Sequence, residues 1–148
     1  MRNFVVVVMA IAALAEALPA QQSEPPGIRE MRRVGSMSQL MVHLIYPTSD
    51  AVFYIDTRTP TTDAEWNILE AQTVMLAESA NLLLMPDRLR DDEQWVADAK
   101  LLLEVGRAAL RATQDRDVEA LSDLNDQLYQ SCLTCHQHYR QGYGLRPR

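Results

Sequence analysis

Apolar side chains return every three or four residues along four long segments of this chain, and the polar residues between them carry the signals that start and stop helices. The first segment, about residues 35–56, places Met37, Leu40, Met41, Leu44, Val52 and Ile55 at helical spacing. Pro47 interrupts it, because proline lacks an amide donor and crowds the turn before it, so a helix with a fault is predicted. Thr59-Pro60-Thr61-Thr62 is a loop, and Thr62 with Glu65 forms a capping box that opens a second helix, which runs to about Met85 and stops at Pro86. Its stripe is Leu69, Val74, Leu76, Ala80, Leu83 and Leu84. A third helix begins near Asp91-Asp92, buries Trp95, Ala99, Leu102, Leu103, Gly106 and Leu110, and ends around Thr113. Asp117 caps a fourth, which aligns Leu121, Leu124, Leu128, Cys132, Cys135 and Tyr139 and closes at Gly142 and Gly144. Four helices of about 20 residues with short connections predict an all-α, antiparallel four-helix bundle, in which cofactor sites are built from inward-facing side chains.

The N-terminus reads differently. A basic start, an apolar run from Phe4 to Ala15 and a small residue at Ala20 have the form of a cleaved signal peptide over residues 1–20. The alternative is a membrane anchor, but the run is well short of the roughly 20 apolar residues needed to span hydrocarbon. Export to an oxidising compartment, the bacterial periplasm, is expected, with the membrane met only through this transient segment. Residues 21–34 form a flexible lead-in to a single four-helix domain over 35–148. With 148 residues and 47% hydrophobic content there is room for one core, and a formal charge of −6 without a long basic run argues against nucleic acid as a partner.

The candidate chemistry lies in Cys132-Leu133-Thr134-Cys135-His136. Cysteines three apart on a helix share a face, so both thiols can add to the two vinyl groups along one edge of a porphyrin. The next residue, His136, can then coordinate the iron, giving one covalently held haem c. A thioredoxin-like pair would need a βαβ context and a helix N-terminus, whereas this pair lies near a helix C-terminus. A disulfide would close a very short loop and stabilise little, and a zinc site would want more ligands.

The signal peptide, the four-helix pattern and the motif followed by Gln-His-Tyr139-Arg140 near the C-terminus together resemble the class II cytochromes c, the group of cytochrome c prime and its methionine-ligated low-spin relatives. The likeness runs over the whole mature chain, and its specific part is the C-terminal haem motif. It implies a bundle with haem between the first and fourth helices, five-coordinate and gas-binding in some members, six-coordinate and electron-carrying in others. By the same resemblance Met41, beside Leu40, stands where methionine-ligated members place the second axial ligand, and Arg140 lies near His136, where it could tune the imidazole or a haem propionate. Pro47 departs from the family's usual first helix.

Each of these residues has a plainer reading. Met41 could simply fill core space, and Arg140 could serve as a favourable charge in a last helical turn. His43 and His138 each lie two positions, or about 200° of helical rotation, from the candidate ligand beside them, and both are expected at the surface. Trp66 and Trp95 are expected in packing. Two functions follow: an electron carrier, not an enzyme, that meets redox partner proteins, or a haem protein blocked by Leu40 or Leu44 and opened by nitric oxide or carbon monoxide. A peroxidase would usually want a distal acid or base, and the inner face of the first helix offers no His or Arg. A homodimer of two such bundles is a further possible partner arrangement.

Overall fold

The computed structural model describes residues 32–90 and 93–140 together with Gly142, so the expected signal peptide, most of the lead-in, Asp91-Asp92 and Gly144 lie outside the described residues. Among the described residues every regular element is helical, and four helical stretches fall where the apolar spacing put them. None is long and apolar enough to cross a membrane.

Two of the stretches are uninterrupted. Helix α3 (Asp63–Leu83) opens with the expected box: the Thr62 hydroxyl accepts from the Glu65 amide, and the Glu65 carboxylate accepts from the Thr62 amide at 2.9 Å. Helix α4 (Gln94–Gln114) follows after a short connection. These two pack on each other more extensively than any other pair. The Trp95 indole donates to the Leu83 carbonyl at 2.8 Å, Gly106 lies against Ala77, and Gln114 donates to Glu70 at 3.0 Å, so positions that rise along α4 meet positions that fall along α3. A β-carbon on Gly106 would come within 2.8 Å of the Ala77 α-carbon, which is why this crossing requires glycine. Leu76, Ala80, Val105 and Ala109 are fully buried there.

One residue of the predicted stripe is misplaced. Val74 is 40% exposed, and its neighbour Thr73 is fully buried instead. The Thr73 hydroxyl donates back to the carbonyls of Leu69 and Glu70, so it enters the core with its polarity satisfied inside its own helix.

The first stretch is built in three parts: α1 (Met37–Leu40), a π-helical turn (Met41–Ile45) and α2 (Tyr46–Phe53). The fault expected at Pro47 is this π turn: the run continues past the proline, and the turn before it widens by one residue. The Tyr46 amide donates to Met41 O, five residues back, and Pro47 has no amide with which to continue the ladder. Thr48 compensates by donating its hydroxyl to the carbonyls of Leu44 and Ile45 at 2.7 and 3.1 Å. The helix ends at Phe53, earlier than residue 56, and Ile55 is buried from a following turn.

The fourth stretch also divides, into α5 (Val118–Asp123) and α6 (Asn125–Tyr139), with Leu124 between them. Asp117 caps it as expected, accepting from the Ala120 amide at 2.9 Å. Helix α6 packs closely on α4 but only slightly on α2. That uneven packing leaves a seam between the first and last stretches.

Candidate functional site

Cys132, Cys135 and His136 lie in the last two turns of α6, a regular helix in which residues three apart share a face. Leu128 and Ser131 below them are buried and fix which way that face points. A cavity of about 50 Å³ lies inside it, lined by Cys132, Cys135, His136 and Ser131 from α6, Asp98 and Leu102 from α4, Leu83 from α3, and Met41 and Ile45 from the π turn. Two open clefts flank this cavity. One, of about 330 Å³, takes in Trp95, Arg90, Tyr139 and Arg140; the other, of about 480 Å³, takes in Tyr46, Ser49, Phe53, Tyr129 and Arg140. Met41 and His136 line all three spaces, so these are parts of one seam. Each cleft alone has the size of a cofactor site, roughly 300–1,000 Å³.

Electrostatics inside the seam favour neutral donors. Both cysteines carry free thiols and are half-buried. Burial pushes the Cys132 thiol up in pKa, against a smaller downward pull from the Ser131 hydroxyl. Burial also pushes Cys135 up to about 11, helped by the Asp98 carboxylate and by Cys132. His136 moves the other way: burial, then the nearby Arg140 guanidinium, hold its imidazole below the ordinary histidine value. A neutral imidazole is the form that binds a metal.

The sequence-derived residues thus converge. Met41, Cys132, Cys135 and His136 meet at the seam, and Arg140, at the end of α6, borders both clefts and acts on His136 through its charge. Trp95 packs as expected: it is buried, and the Tyr139 ring meets it edge-on with centroids 4.7 Å apart. His43 is exposed.

His138 is exposed, as expected, but it has a partner that the sequence did not reveal. Its ring is partly open to solvent, but Nδ1 lies 2.7 Å from Asp98 Oδ2, and the Asp98 side chain is only 1% exposed. Helical rotation separates His138 from the His136 face correctly, yet that rotation aims it at α4. Asp98 itself was not singled out from the sequence, although an acidic residue three positions after Trp95, in the middle of an apolar stripe, was the available sign.

The donor set fits a haem held by thioether bonds: two reduced thiols on one helical face, an adjoining neutral imidazole, and a thioether sulfur from another helix lining the same space. Among the described residues no three His, Cys, Asp or Glu side chains converge to hold a bare metal ion. Comparison of the chain with models of known protein families, with characterised proteins and with solved structures gives no match in any of the three.

Proposed function

We propose that this chain is a c-type cytochrome of the class II kind, an antiparallel four-helix bundle exported to the periplasm that carries electrons through one covalently bound haem. The observation that carries the reading is the seam itself, where two thiols, an imidazole and a methionine from opposite sides of the bundle line one space. The antiparallel arrangement is supported by the opposed register of α3 and α4 and by the short connections between successive helices.

Haem supplies one-electron exchange between ferric and ferrous iron. The chain supplies the rest. Cys132 and Cys135 would hold the group by adding their S–H bonds across its two vinyl groups, and burial raises the pKa of both thiols, which favours the protonated form that such an addition needs. His136 would supply a neutral imidazole nitrogen to the iron. Leu83, Leu102 and Ile45 keep water from the inner wall, and a dry, fixed surrounding means little rearrangement when an electron arrives. The first helix presents Met41 and Ile45 to the inner cavity, and neither Leu40 nor Leu44 lines any part of the seam, which favours Met41 as sixth ligand.

Expression of the full chain with haem-maturation machinery tests this. The mature protein should be heavier than its polypeptide by one haem, and Cys132→Ala with Cys135→Ala should abolish the covalent adduct. A methionine–iron charge-transfer band that vanishes in Met41→Ala identifies the sixth ligand. A high-spin spectrum untouched by Met41→Ala, with rapid carbon monoxide uptake, would move the protein to the five-coordinate, gas-binding class. A colourless product of polypeptide mass would end the reading.

A further inference from the structure

Among the groups around the inner cavity, Asp98 is out of character. It replaces what helical spacing would make another core residue, on a stretch of α4 where Trp95, Ala99, Leu102 and Val105 are all buried and apolar. Only 2% of Asp98 is exposed. A carboxylate so buried needs hydrogen bonds, and two are built in: Gln94 Nε2 donates to Oδ1 at 2.9 Å, and His138 Nδ1 lies 2.7 Å from Oδ2. Gln94 comes from one turn earlier on α4, and His138 from the turn of α6 that also carries His136. The carboxylate therefore borders the cavity lined by Cys132, Cys135 and His136 while two side chains hold it in place.

Such a group is a poor device for stability alone, since well-packed apolar residues usually serve as well or better in a core. Its effect on the cavity is larger. A fixed negative charge in a water-poor pocket stabilises the more positive of two oxidation states, and water screens it little. Its reach toward the site is already visible at Cys135, where it helps disfavour the thiolate. Arg140 carries the opposite charge nearby but is exposed, so water screens its field.

We propose that Asp98, held by Gln94 and His138 against the cavity that faces the Cys132-Cys135-His136 turn, is a positioning residue that sets the reduction potential of the bound haem by favouring the ferric state. The inference rests on the proposed haem reading. The couple concerned is ferric haem plus one electron, delivered by a redox partner protein, giving ferrous haem. In it Asp98 neither gains nor loses a bond.

The test is spectroelectrochemical titration of the haem-loaded full chain. Asp98→Asn keeps the shape and removes the charge, and it should raise the midpoint so that the ferrous-to-ferric ratio at the wild-type midpoint increases about tenfold, or 59 mV for one electron. The axial-ligand spectrum should not change. Asp98→Ser, smaller and also uncharged, should move the midpoint in the same direction and serves if Asp98→Asn does not accumulate. His138→Gln keeps the carboxylate and can still donate to it, so it should produce less than a third of that shift. A midpoint that stays or falls when the Asp98 charge is removed, or a full shift in His138→Gln, overturns the proposal while leaving the haem reading intact. A chain that takes up no haem overturns both.

Discussion

The α3–α4 pair and the seam between the first stretch and α6 are built on opposite principles. In the pair, two uninterrupted 21-residue helices meet through Gly106 and Ala77, and the interface holds no room to spare. At the seam, one helix widens into a π turn, its partner is divided at Leu124, and half-buried sulfur and nitrogen donors face open space. Unfilled space and perturbed titratable groups are costly, and they concentrate where chemistry needs them. One half of the molecule supplies rigidity, so the other can supply a site.

Truncation should separate the halves most clearly. Leu76 is fully buried, and Leu76→Ala should cost about 2–5 kcal/mol, with or without cofactor, because it removes transferred surface and leaves a cavity. Met41→Ala at the seam should cost the haem-free chain only about 1 kcal/mol, at the low end for a half-buried side chain. Urea unfolding of both variants measures the contrast, and equal losses would erase it. Next in size is Gly106→Ala. Its new β-carbon would press on the Ala77 backbone, which cannot rotate away as a side chain can, and about 1–3 kcal/mol of overpacking is expected by the same measurement.

What could be foreseen follows the same division. The Thr62–Glu65 box and the Asp117 cap are local in sequence, and each stands where its residues put it; the stop expected at Pro86 comes slightly early, with α3 ending at Leu83. The four helical stretches were legible for that reason, as was the convergence of Cys132, Cys135 and His136 on one face. Three features were not. The exchange of Val74 for Thr73 depends on a hydroxyl that satisfies itself inside the helix, which a scale of apolar character does not register. The π turn depends on how neighbouring packing lets the backbone accommodate Pro47. The Asp98–His138 contact joins residues 40 positions apart, and helical rotation excludes a face without saying what waits on the other side.

Pro47→Ala sharpens the comparison from the seam's side. It restores an amide at position 47 and removes the ring that crowds the preceding turn, so the Met41–Ile45 segment should tighten into an α-helix. Interior proline costs a helix about 3 kcal/mol relative to alanine. The π turn already absorbs much of that, so a gain of about 1 kcal/mol is expected. The cost should appear in the site. Tightening by one residue swings Met41 by about 100° relative to Pro47, away from the space it shares with His136. The haem-loaded variant should therefore be more stable and lose the methionine–iron band. A variant that keeps the band would show that the π turn does not aim Met41.

The smallest effect expected lies in the rigid half and should leave the seam untouched. Hydrogen bonds from the amides and hydroxyls of Thr61 and Thr62 hold the Glu65 carboxyl well below its ordinary value of 4.5, at about 2. A carboxyl depressed on folding stays charged in the native state while its unfolded counterpart picks up a proton. Its stabilisation is therefore fully present above pH 4.5 and drains away as the pH falls toward 2. Glu65→Gln preserves an acceptor for the Thr62 amide but cannot ionise or favour the helix dipole. The difference in Tm between wild type and Glu65→Gln should be positive above pH 4.5, shrink through that window and vanish at its acid end. A difference that stays flat across the window would mean that the box works through its hydrogen bonds alone. Because Glu65 lines no part of the seam, the haem spectrum should be the same in both proteins at every pH where both are folded.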